Sequence, residues 1–425
     1  MSPVVRLRSS AQRTFLSLRT SRNFRLYLFG QLVSSCGTWI NATASAWLVL
    51  TLTDSGVALG INVALLFVPI LVLGAWGGVL ADRFDKRRIL VWTQSVFALI
   101  AFAMFVLVAT HVDRLWMIYA LSFAAGVVTA IDNPARQSFY VEMVGEDALT
   151  NAVSLNSAAF TGSRILGPAI AATLIATVGL AAPFLVDGVS YLAVIAALVL
   201  MRSAEFHVQE RSTRQSGHLK AGLQYVWRTD ELRRPLLIMA VIFTFSFNFA
   251  VLLPLLARRT FGGDAGTLGW LSACAGVGSC VGALVMANRA RTPTMRRLAF
   301  GAVAFGIALT AVGLAPTLAM AVILMVPSGF TMMAFMITAN TLLQTHAAPR
   351  ARGRVMALYG VVFLGSTPIG SPIAGWVGQA LGARAGIVGG GVIAIALGAG
   401  LLWQAHRVRE ASAEVDSAMA SPRAA

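Results

Sequence analysis

The chain has 425 residues, of which 57% are hydrophobic and only 12% are charged, and its mean hydropathy is +0.75. A soluble domain carries about twice this share of charged residues, so the composition excludes an ordinary soluble protein. In a soluble protein the net charge of +16 would suggest nucleic acid or another acidic partner. Here most of the 33 Lys and Arg residues lie on alternate connections between apolar runs. This pattern predicts a membrane protein with both termini in the cytoplasm, and no nucleic-acid partner is expected.

Apolar runs separated by polar breaks predict twelve membrane-spanning helices. Each run can cross a hydrocarbon core of about 30 Å at 1.5 Å per residue. The predicted helices are 24–51, 57–80, 89–110, 114–131, 148–178, 180–201, 234–257, 265–288, 297–315, 317–345, 351–380 and 384–405.

These helices divide the chain into five parts. They are a basic N-terminal tail over 1–23, a first six-helix bundle over 24–201, a linker over 202–233, a second six-helix bundle over 234–405 and a C-terminal tail over 406–425. We expect the tails and the linker to be cytoplasmic, the linker to be partly helical, and the C-terminal tail to be disordered.

The two halves of the chain repeat one another at an offset of 203 residues. Gly126 corresponds to Gly329, and Ser163 corresponds to Ser366. The matching positions carry small residues, which are common where membrane helices touch. A duplicated six-helix unit predicts an all-α membrane protein built from two pseudo-symmetric bundles.

A short charged stretch lies between the second and third predicted helices. Its sequence is Gly78-Val-Leu-Ala-Asp82-Arg83-Phe-Asp85-Lys86-Arg87-Arg88-Ile-Leu90. Four cations against two acids place this charged loop at the cytoplasmic interface. We expect Gly78 to allow close contact with a neighbouring helix, and Asp82 to cap a helix N-terminus or to pair with an arginine.

The charged loop resembles the signature between helices 2 and 3 of the major facilitator superfamily, G-x-L-A-D-R-x-G-R-K-x-x-L, with Asp85 at the position of a glycine. The variant with Asp85 is similar to the branch that contains the enterobactin exporter and the transmembrane secretion effector permeases. The resemblance covers about residues 20–405. It implies that the chain exports a small organic molecule, siderophore-like or drug-like, by alternating access between the two bundles.

The same resemblance carries further expectations. Inward proton flow would drive export across the cytoplasmic membrane of a bacterium, and the transporter would work as a monomer among membrane lipids. A cytoplasmic gate would form from the charged loop, from Asp132 and Arg136 after helix 4, and from Arg352 and Arg354 between helices 10 and 11.

Acidic residues are expected only near the ends of helices. The Asn133-Pro134 step is expected to end helix 4, with Asp132 at its inner end and Arg136 able to pair with Asp82 or Asp132. Three further acids are expected at outer ends: Asp54, Asp113 and Asp187. No acid is therefore expected in mid-span. Asp132 is the first candidate for a proton carrier, although a structural ion pair is the favoured interpretation.

Arg164 lies near the middle of predicted helix 5, where an arginine costs about 2.5–3.5 kcal/mol on insertion scales. It either contacts an anion or substrate, or biases a nearby proton site, or bonds to helix 1 or helix 4 as a structural pin. Aromatic and amide residues at similar depth suit an amphiphilic ligand, although packing explains them as well. The predicted central cavity comprises Trp39, Asn41, Asn62, Arg164, Phe245 and Asn248.

Small residues surround Arg164 on helix 5 and resemble a degraded form of the motif that marks exporters in the superfamily. They are Ser163, Gly167, Pro168, Ala171 and Ala172. Close helix packing would account for them equally well.

The sequence contains no phosphate loop, no metal-ligand cluster and no nucleophile constellation, so we expect no metal, no cofactor and no enzymatic activity. Three alternatives to export remain: an importer or facilitator with the same fold, a membrane-embedded enzyme, and a non-transporting sensor.

Overall fold

The computed structural model describes residues 16–207, 218–288 and 293–420, which contain helices and no strand. The helices are α1 Leu16–Thr20, α2 Arg22–Thr53, α3 Gly56–Arg83, α4 Lys86–Ala109, α5 Leu115–Thr177, α6 Ala182–Leu200, α7 His218–Arg228, α8 Asp230–Ser246, α9 Phe249–Leu255, α10 Ala265–Asn288, α11 Met295–Leu314, α12 Leu318–His346, α13 Arg352–Ala380 and α14 Ala383–Ala420. A 3-10 turn covers Ser203–Glu205, and a π turn covers Leu256–Thr260.

Ten helices in the described ranges are long and apolar enough to cross a membrane. One of them, α5, runs for 63 residues over both predicted helices 4 and 5, and its helical geometry breaks at Gly145, where φ is +71°. The 32-residue α2 is not among the ten. The all-helical membrane architecture is thus confirmed, whereas the number of crossings, twelve, stays a prediction.

The prediction that Asn133-Pro134 ends helix 4 is wrong, because α5 continues through both residues. Pro134 has no N–H to donate to the carbonyl of Ala130. That carbonyl faces α3, where a β-carbon on Gly77 would lie 2.0 Å from its oxygen. Tertiary packing against a glycine therefore accommodates the carbonyl that proline leaves unpaired. The break falls at Gly145 instead, because glycine adopts a positive φ without steric cost.

The contacts divide the chain into two compact units. Unit 1 consists of the described residues within Met1–Ser216, Phe249–Gly276 and Thr367–Ala383. Its largest core cluster contains Phe24 and Phe139, both fully buried, together with Tyr27. The ring of Tyr27 meets the ring of Tyr140 edge to face, with 5.7 Å between centroids.

Unit 2 consists of the described residues within Gly217–Asn248, Val277–Ser366 and Arg384–Ala425. An aromatic cluster centres on Phe243, whose ring lies 4.7 Å from Phe247 and 5.1 Å from Phe363, centroid to centroid. A cavity of about 230 Å³ lies between α12 and α13 of this unit. Its lining residues are Met336, Ile337, Asn340, Thr341 and Tyr359.

Corresponding glycines of the two sequence halves make corresponding contacts, each within its own unit. Gly126 of α5 packs on α3, since a β-carbon there would lie 2.3 Å from the carbonyl oxygen of Leu66. The carbonyl of Gly329 on α12 accepts a hydrogen bond from Ser279 of α10, at 3.3 Å. Helix α3 is the second long helix of the first half and α10 the second of the second half. The matched glycines thus occupy matched helix contacts.

Parts of the predicted linker and tails lie outside the described residues, namely 208–217, 1–15 and 421–425. Helix α7 provides the helical portion that we expected in the linker. The C-terminal tail differs from expectation, because α14 continues to Ala420 where the sequence predicts disorder.

Candidate transport site and gates

The charged loop starts α4 with its own cap, and Lys86 and Arg87 bind it to other helices of the first half. The carboxylate of Asp85 accepts a hydrogen bond from the backbone N–H of Arg88 at 2.9 Å and so caps α4. Lys86 forms an ion pair with Glu142 of α5. Arg87 donates to the carbonyl of Leu198, with 2.7 Å between Nε and the oxygen, and thus neutralises the C-terminal end of α6.

Asp82 does not cap a helix, contrary to expectation. Helix α3 continues through Arg83, so Asp82 lies in the last turn of α3 and not at the start of α4. A carboxylate is unfavourable near the C-terminus of a helix dipole. Asp82 and Arg83 are both exposed, and Asp82 forms no ion pair with another described residue.

Asp132 and Arg136 form a buried ion pair one turn apart on α5. The distance from the guanidinium nitrogen to the carboxylate oxygen is 2.5 Å, and the Asp132 side chain is 3% exposed. Thr93 and Gln94 of α4 also donate to Asp132, at 2.7 and 2.8 Å. Arg136 further donates to Gln31 of α2. The charge of Asp132 is therefore compensated by Arg136 and stabilised by two further donors, which favours the structural interpretation of this acid over the proton carrier.

Arg352 and Arg354 lie at the start of α13 in unit 2. Arg352 is exposed and donates from Nε to the carbonyl of Gln344, at 3.0 Å, which joins it to the end of α12. Arg354 is partly buried. Their role in a gate stays a prediction.

At the opposite end of α3 from the charged loop, backbones meet through small residues within unit 1. A β-carbon on Gly375 of α13 would lie 2.2 Å from the carbonyl oxygen of Gly56, and one on Gly60 would lie 2.3 Å from that of Ser371. We call this set of four residues the glycine contact. Gln379 extends it by accepting hydrogen bonds from the hydroxyl of Ser55, at 2.8 Å, and the N–H of Val57, at 3.1 Å.

Charges flank the glycine contact at the same end. Asp54, in the left-handed region with φ +45°, pairs with Arg258 at 3.5 Å and with Arg259 at 3.4 Å. Its side chain is 60% exposed, so each pair contributes roughly 0–1 kcal/mol. These pairs orient the helix ends and add little to the strength of the contact.

The predicted cavity residues of unit 1 fall into three separate contacts. The guanidinium of Arg164 lies over the indole of Trp39, 5.4 Å from the ring centroid. Asn62 accepts a hydrogen bond from Ser122 at 2.8 Å, which joins α3 to α5. Asn41 donates to Asp187 of α6. Of the three amide and aromatic positions, only Trp39 is placed beside Arg164.

The remaining two predicted cavity residues, Phe245 and Asn248, belong to unit 2. Phe245 is 37% exposed, whereas Asn248 is buried and donates to the carbonyl of Thr244 at 2.6 Å. The chain interrupts its helical geometry here, between α8 and α9. An amide in such a break satisfies a backbone carbonyl that the helix leaves unpaired.

All five small residues predicted as a helix-5 motif are buried and pack α5 between α2 and α10. A β-carbon on Gly167 would lie 2.3 Å from the β-carbon of Trp39. Ser163 is within 3.3 Å of Cys36. On the other side, a β-carbon on Gly269 would lie 2.5 Å from Ala172 and 3.0 Å from the carbonyl oxygen of Pro168. Ala171, completely buried, completes the set.

Sequence analysis missed Asp187, which it placed at an outer helix end. The residue lies within α6, is 1% exposed, and has one carboxylate oxygen without a hydrogen-bond partner. Asp187 is the eighth residue of the predicted span 180–201. Counting along that span would therefore have placed this acid inside the helix and not at its end. What the sequence could not show is that Asp187 points at Asn41.

In the described part of the chain no three His, Cys, Asp or Glu side chains lie close enough together to hold a metal ion. The arrangement that remains is a helical membrane protein with a charged loop at one end, a glycine contact at the other, and polar groups buried between. These features are typical of membrane transporters.

Solved structures share this fold. The structure resembles a bacterial homolog of the human lysosomal transporter Spinster in an inward-facing and unoccupied conformation, with a TM-score of 0.72 and 14% identity, over 91% of this chain and 97% of that one. It also resembles the peptide transporter POT, with a TM-score of 0.72 and 15% identity, over 91% and 95% of the two chains. At these identities the likeness shows the fold, which is that of major facilitator transporters.

A family model described as transmembrane secretion effector matches residues 14–424. The chain therefore belongs to the transmembrane secretion effector family of major facilitator transporters. The family expected from the charged loop is thus confirmed, and the chain is a multi-pass membrane transporter.

Two characterised relatives differ in what they carry. The chain is 28% identical to the staphyloferrin A transporter of Staphylococcus aureus over 251 residues, which span 59% of this chain and 63% of that transporter. It is also 28% identical to the multidrug efflux pump Tap of Mycolicibacterium fortuitum over 371 residues, 85% of this chain and 90% of the pump. The chain is therefore similar both to a protein named for siderophore transport and to one named for drug efflux.

Proposed function

We propose that this transporter exports a small organic molecule, siderophore-like or drug-like, from the bacterial cytoplasm by alternating access, and that inward proton flow drives it. It works as a monomer in the cytoplasmic membrane, with both termini in the cytoplasm. The names of the relatives support export and both cargo types. The chain's own basic connections support the orientation.

The glycine contact is the observation that carries alternating access. A transporter that opens alternately must hold one end shut with a contact that can part without unfolding a helix. Gly56 and Gly375 touch backbone to backbone, and the hydrogen bonds of Gln379 to Ser55 and Val57 can break without unfolding a helix. The flanking pairs of Asp54 are mostly exposed and cost little to break. In the proposed orientation this end faces the outside.

Asp187 supports proton coupling better than Asp132 does. Burial of a carboxylate is costly unless a cation or a proton neutralises it. No lysine or arginine among the described residues pairs with Asp187, and its neighbours are uncharged. They are Gly37 and Asn41 on α2, Ser190 and Tyr191 on α6, and Phe102 of α4, which touches the adjacent Gly188. A proton on Asp187 would supply the missing compensation.

Everted membrane vesicles test the proposal. Vesicles that contain the transporter are loaded with an acidic interior, and uptake of labelled erythromycin and of a labelled citrate-type siderophore is measured. Export predicts accumulation that collapses when nigericin dissipates the pH gradient. Vesicles without the transporter provide the control. Uptake that equilibrates without responding to the gradient would instead indicate a facilitator, and accumulation only in right-side-out vesicles would indicate an importer.

A further inference from the structure

Arg164 carries a positive charge that no acidic side chain among the described residues neutralises. It lies on α5, thirteen residues before the helix ends at Thr177. Its guanidinium makes a cation–π contact with Trp39 and, within the described residues, no hydrogen bond or ion pair. An arginine within a membrane span normally pairs with an acid, a carbonyl or water, because its donors are costly to leave unpaired. The structural-pin interpretation predicts such bonds to α2 or α5, and the described residues of these helices form none with Arg164.

A second unpaired donor lies beside it. The indole Nε1 of Trp39 is buried without a hydrogen-bond acceptor. The ring of Phe160 lies 5.9 Å from the ring of Trp39 and is 49% exposed, so the aromatic pair is accessible on one side. Cys36, on the same helix as Trp39, and Ser163, next to Arg164 in the chain, are uncharged and contact each other. The site thus offers donors and aromatic surface and contains no negative charge.

We propose that Arg164, Trp39 and Phe160 form a subsite for a carboxylate-bearing, partly aromatic cargo. The planar guanidinium matches the two oxygens of a carboxylate, and the indole N–H supplies a further donor. Phe160 and Trp39 contact the apolar part of the same molecule. The inference rests on the proposed transport function and narrows it: the cargo is an organic anion, and a cationic drug is disfavoured by the charge of Arg164.

Salicylate and salicylamide test this subsite, because the two probes differ mainly in a carboxylate against a neutral carboxamide. Binding is measured by equilibrium dialysis with the full-length protein in nanodiscs of neutral lipid. Wild type should bind salicylate and discriminate against salicylamide. Arg164→Gln should weaken salicylate binding roughly ten- to hundredfold, the range for a lost hydrogen bond to a charged group. Trp39→Phe keeps the ring but removes the N–H, and should weaken it by about fivefold.

Two control variants show whether the losses are specific. Arg384→Gln removes an arginine that already donates to the carbonyl of Ala315, at 2.7 Å, and should leave salicylate binding unchanged. Trp270→Phe changes an indole that is 68% exposed and should do the same. Elution of each variant as a single monodisperse species on size-exclusion chromatography shows that it is folded. Repeating the dialysis in nanodiscs with anionic lipid distinguishes a soluble anion from a lipid headgroup, because only a headgroup would compete with salicylate.

Three results would overturn the inference: no salicylate binding to wild type, equal binding of salicylate and salicylamide, or unchanged salicylate binding in Arg164→Gln. Strong competition by anionic lipid would replace the cargo with a headgroup and would also overturn it. Dialysis requires no transport, so it is independent of the vesicle assay. A chain that binds salicylate through Arg164 but moves nothing would contradict the proposed function and not the subsite.

Discussion

The side-chain amide of Asn41 donates a hydrogen bond to the carboxylate of Asp187, with 2.6 Å between Nδ2 and Oδ2. The amide oxygen of Asn41 in turn accepts from Ser45, at 2.8 Å. These two hydrogen bonds connect α6 to α2, the helix that also carries Trp39. Any change of charge on Asp187 therefore acts directly on a helix that contributes to the proposed cargo subsite.

Replacing Asp187 with asparagine separates proton coupling from cargo movement. The amide keeps an oxygen that accepts from Asn41 but can neither bind nor release a proton. We expect Asp187→Asn to abolish accumulation driven by a pH gradient, while counterflow exchange of preloaded cargo continues. Asp132→Asn is the matched control. The folded Asp132→Asn protein should retain accumulation driven by the pH gradient. The assignment fails if Asp187→Asn still responds to the gradient as wild type does.

The glycine contact should depend on steric fit far more than on charge. A β-carbon on Gly375 would lie 2.2 Å from the Gly56 carbonyl oxygen, so Gly375→Val prevents the contact from forming. Asp54→Asn loses two mostly exposed ion pairs, each worth roughly 0–1 kcal/mol, and introduces no steric block. The measurement is maleimide labelling of Ser371→Cys in a chain whose native cysteines are replaced by alanine. Labelling should rise strongly in Gly375→Val and slightly in Asp54→Asn.

A glycine with free space around it provides the control for that experiment. Apart from the backbone of its own helix, no atom of a described residue lies within 4 Å of a β-carbon placed on Gly74, so Gly74→Val should leave labelling at the level of the parent chain. Equal effects of Gly375→Val and Gly74→Val would show that the labelling reports helix content and not the contact.

The Asp132–Arg136 pair should show strong coupling in a double-mutant cycle. Arg136→Met leaves a buried carboxylate without its cation and should cost about 3–5 kcal/mol in the free energy of unfolding. Asp132→Leu combined with Arg136→Met removes both charges and should recover most of this loss. Unfolding by SDS in mixed micelles, followed by circular dichroism, measures both variants. A double variant as unstable as Arg136→Met would contradict a charge-based cause.

Asp264 gives a pH dependence of known sign. The backbone N–H of Thr267 donates to its carboxylate at 2.9 Å, which stabilises the start of α10 and lowers the pKa of Asp264. A carboxyl group with a lowered pKa contributes stability above its unfolded pKa, and this contribution disappears as the pH falls through the folded value. Asp264→Ala should lower the free energy of unfolding by about 0.5–2 kcal/mol at neutral pH. The difference from wild type should shrink in acid.

Sequence patterns predicted the long helices and the charged loop well, because both depend on local hydropathy and charge. The prediction for 265–288 matches α10 residue for residue. Predictions failed where a tertiary contact decided the outcome. Pro134 continues its helix because Gly77 accommodates the carbonyl of Ala130, and that glycine is more than fifty residues away.

In the candidate site, too, features that depend on position along the chain were predictable, and features that depend on tertiary contacts were not. The depth of Arg164 within a helix was predictable by counting residues along an apolar run. That Trp39 lies beside it, that Asn41 instead bonds to Asp187, and that Asp85 replaces Asp82 as a cap all depend on side-chain directions. No single-sequence pattern encodes those directions. Two of the amides expected in the cavity are helix-joining groups in the structure, because a buried amide is most cheaply satisfied by the neighbouring helix.

Gly77 packs against the carbonyl of Ala130, which Pro134 leaves without a helical N–H donor, and this contact couples positions 77 and 134. Pro134→Ala would restore an N–H donor for the carbonyl of Ala130. That carbonyl would then point along the axis of α5, as in a regular helix. Alanine at position 77 would instead drive a methyl group into that oxygen and separate α3 from α5. A substitution at one of the two positions therefore changes which residues the other position tolerates. The sequence of α3 or of α5 alone does not reveal this constraint.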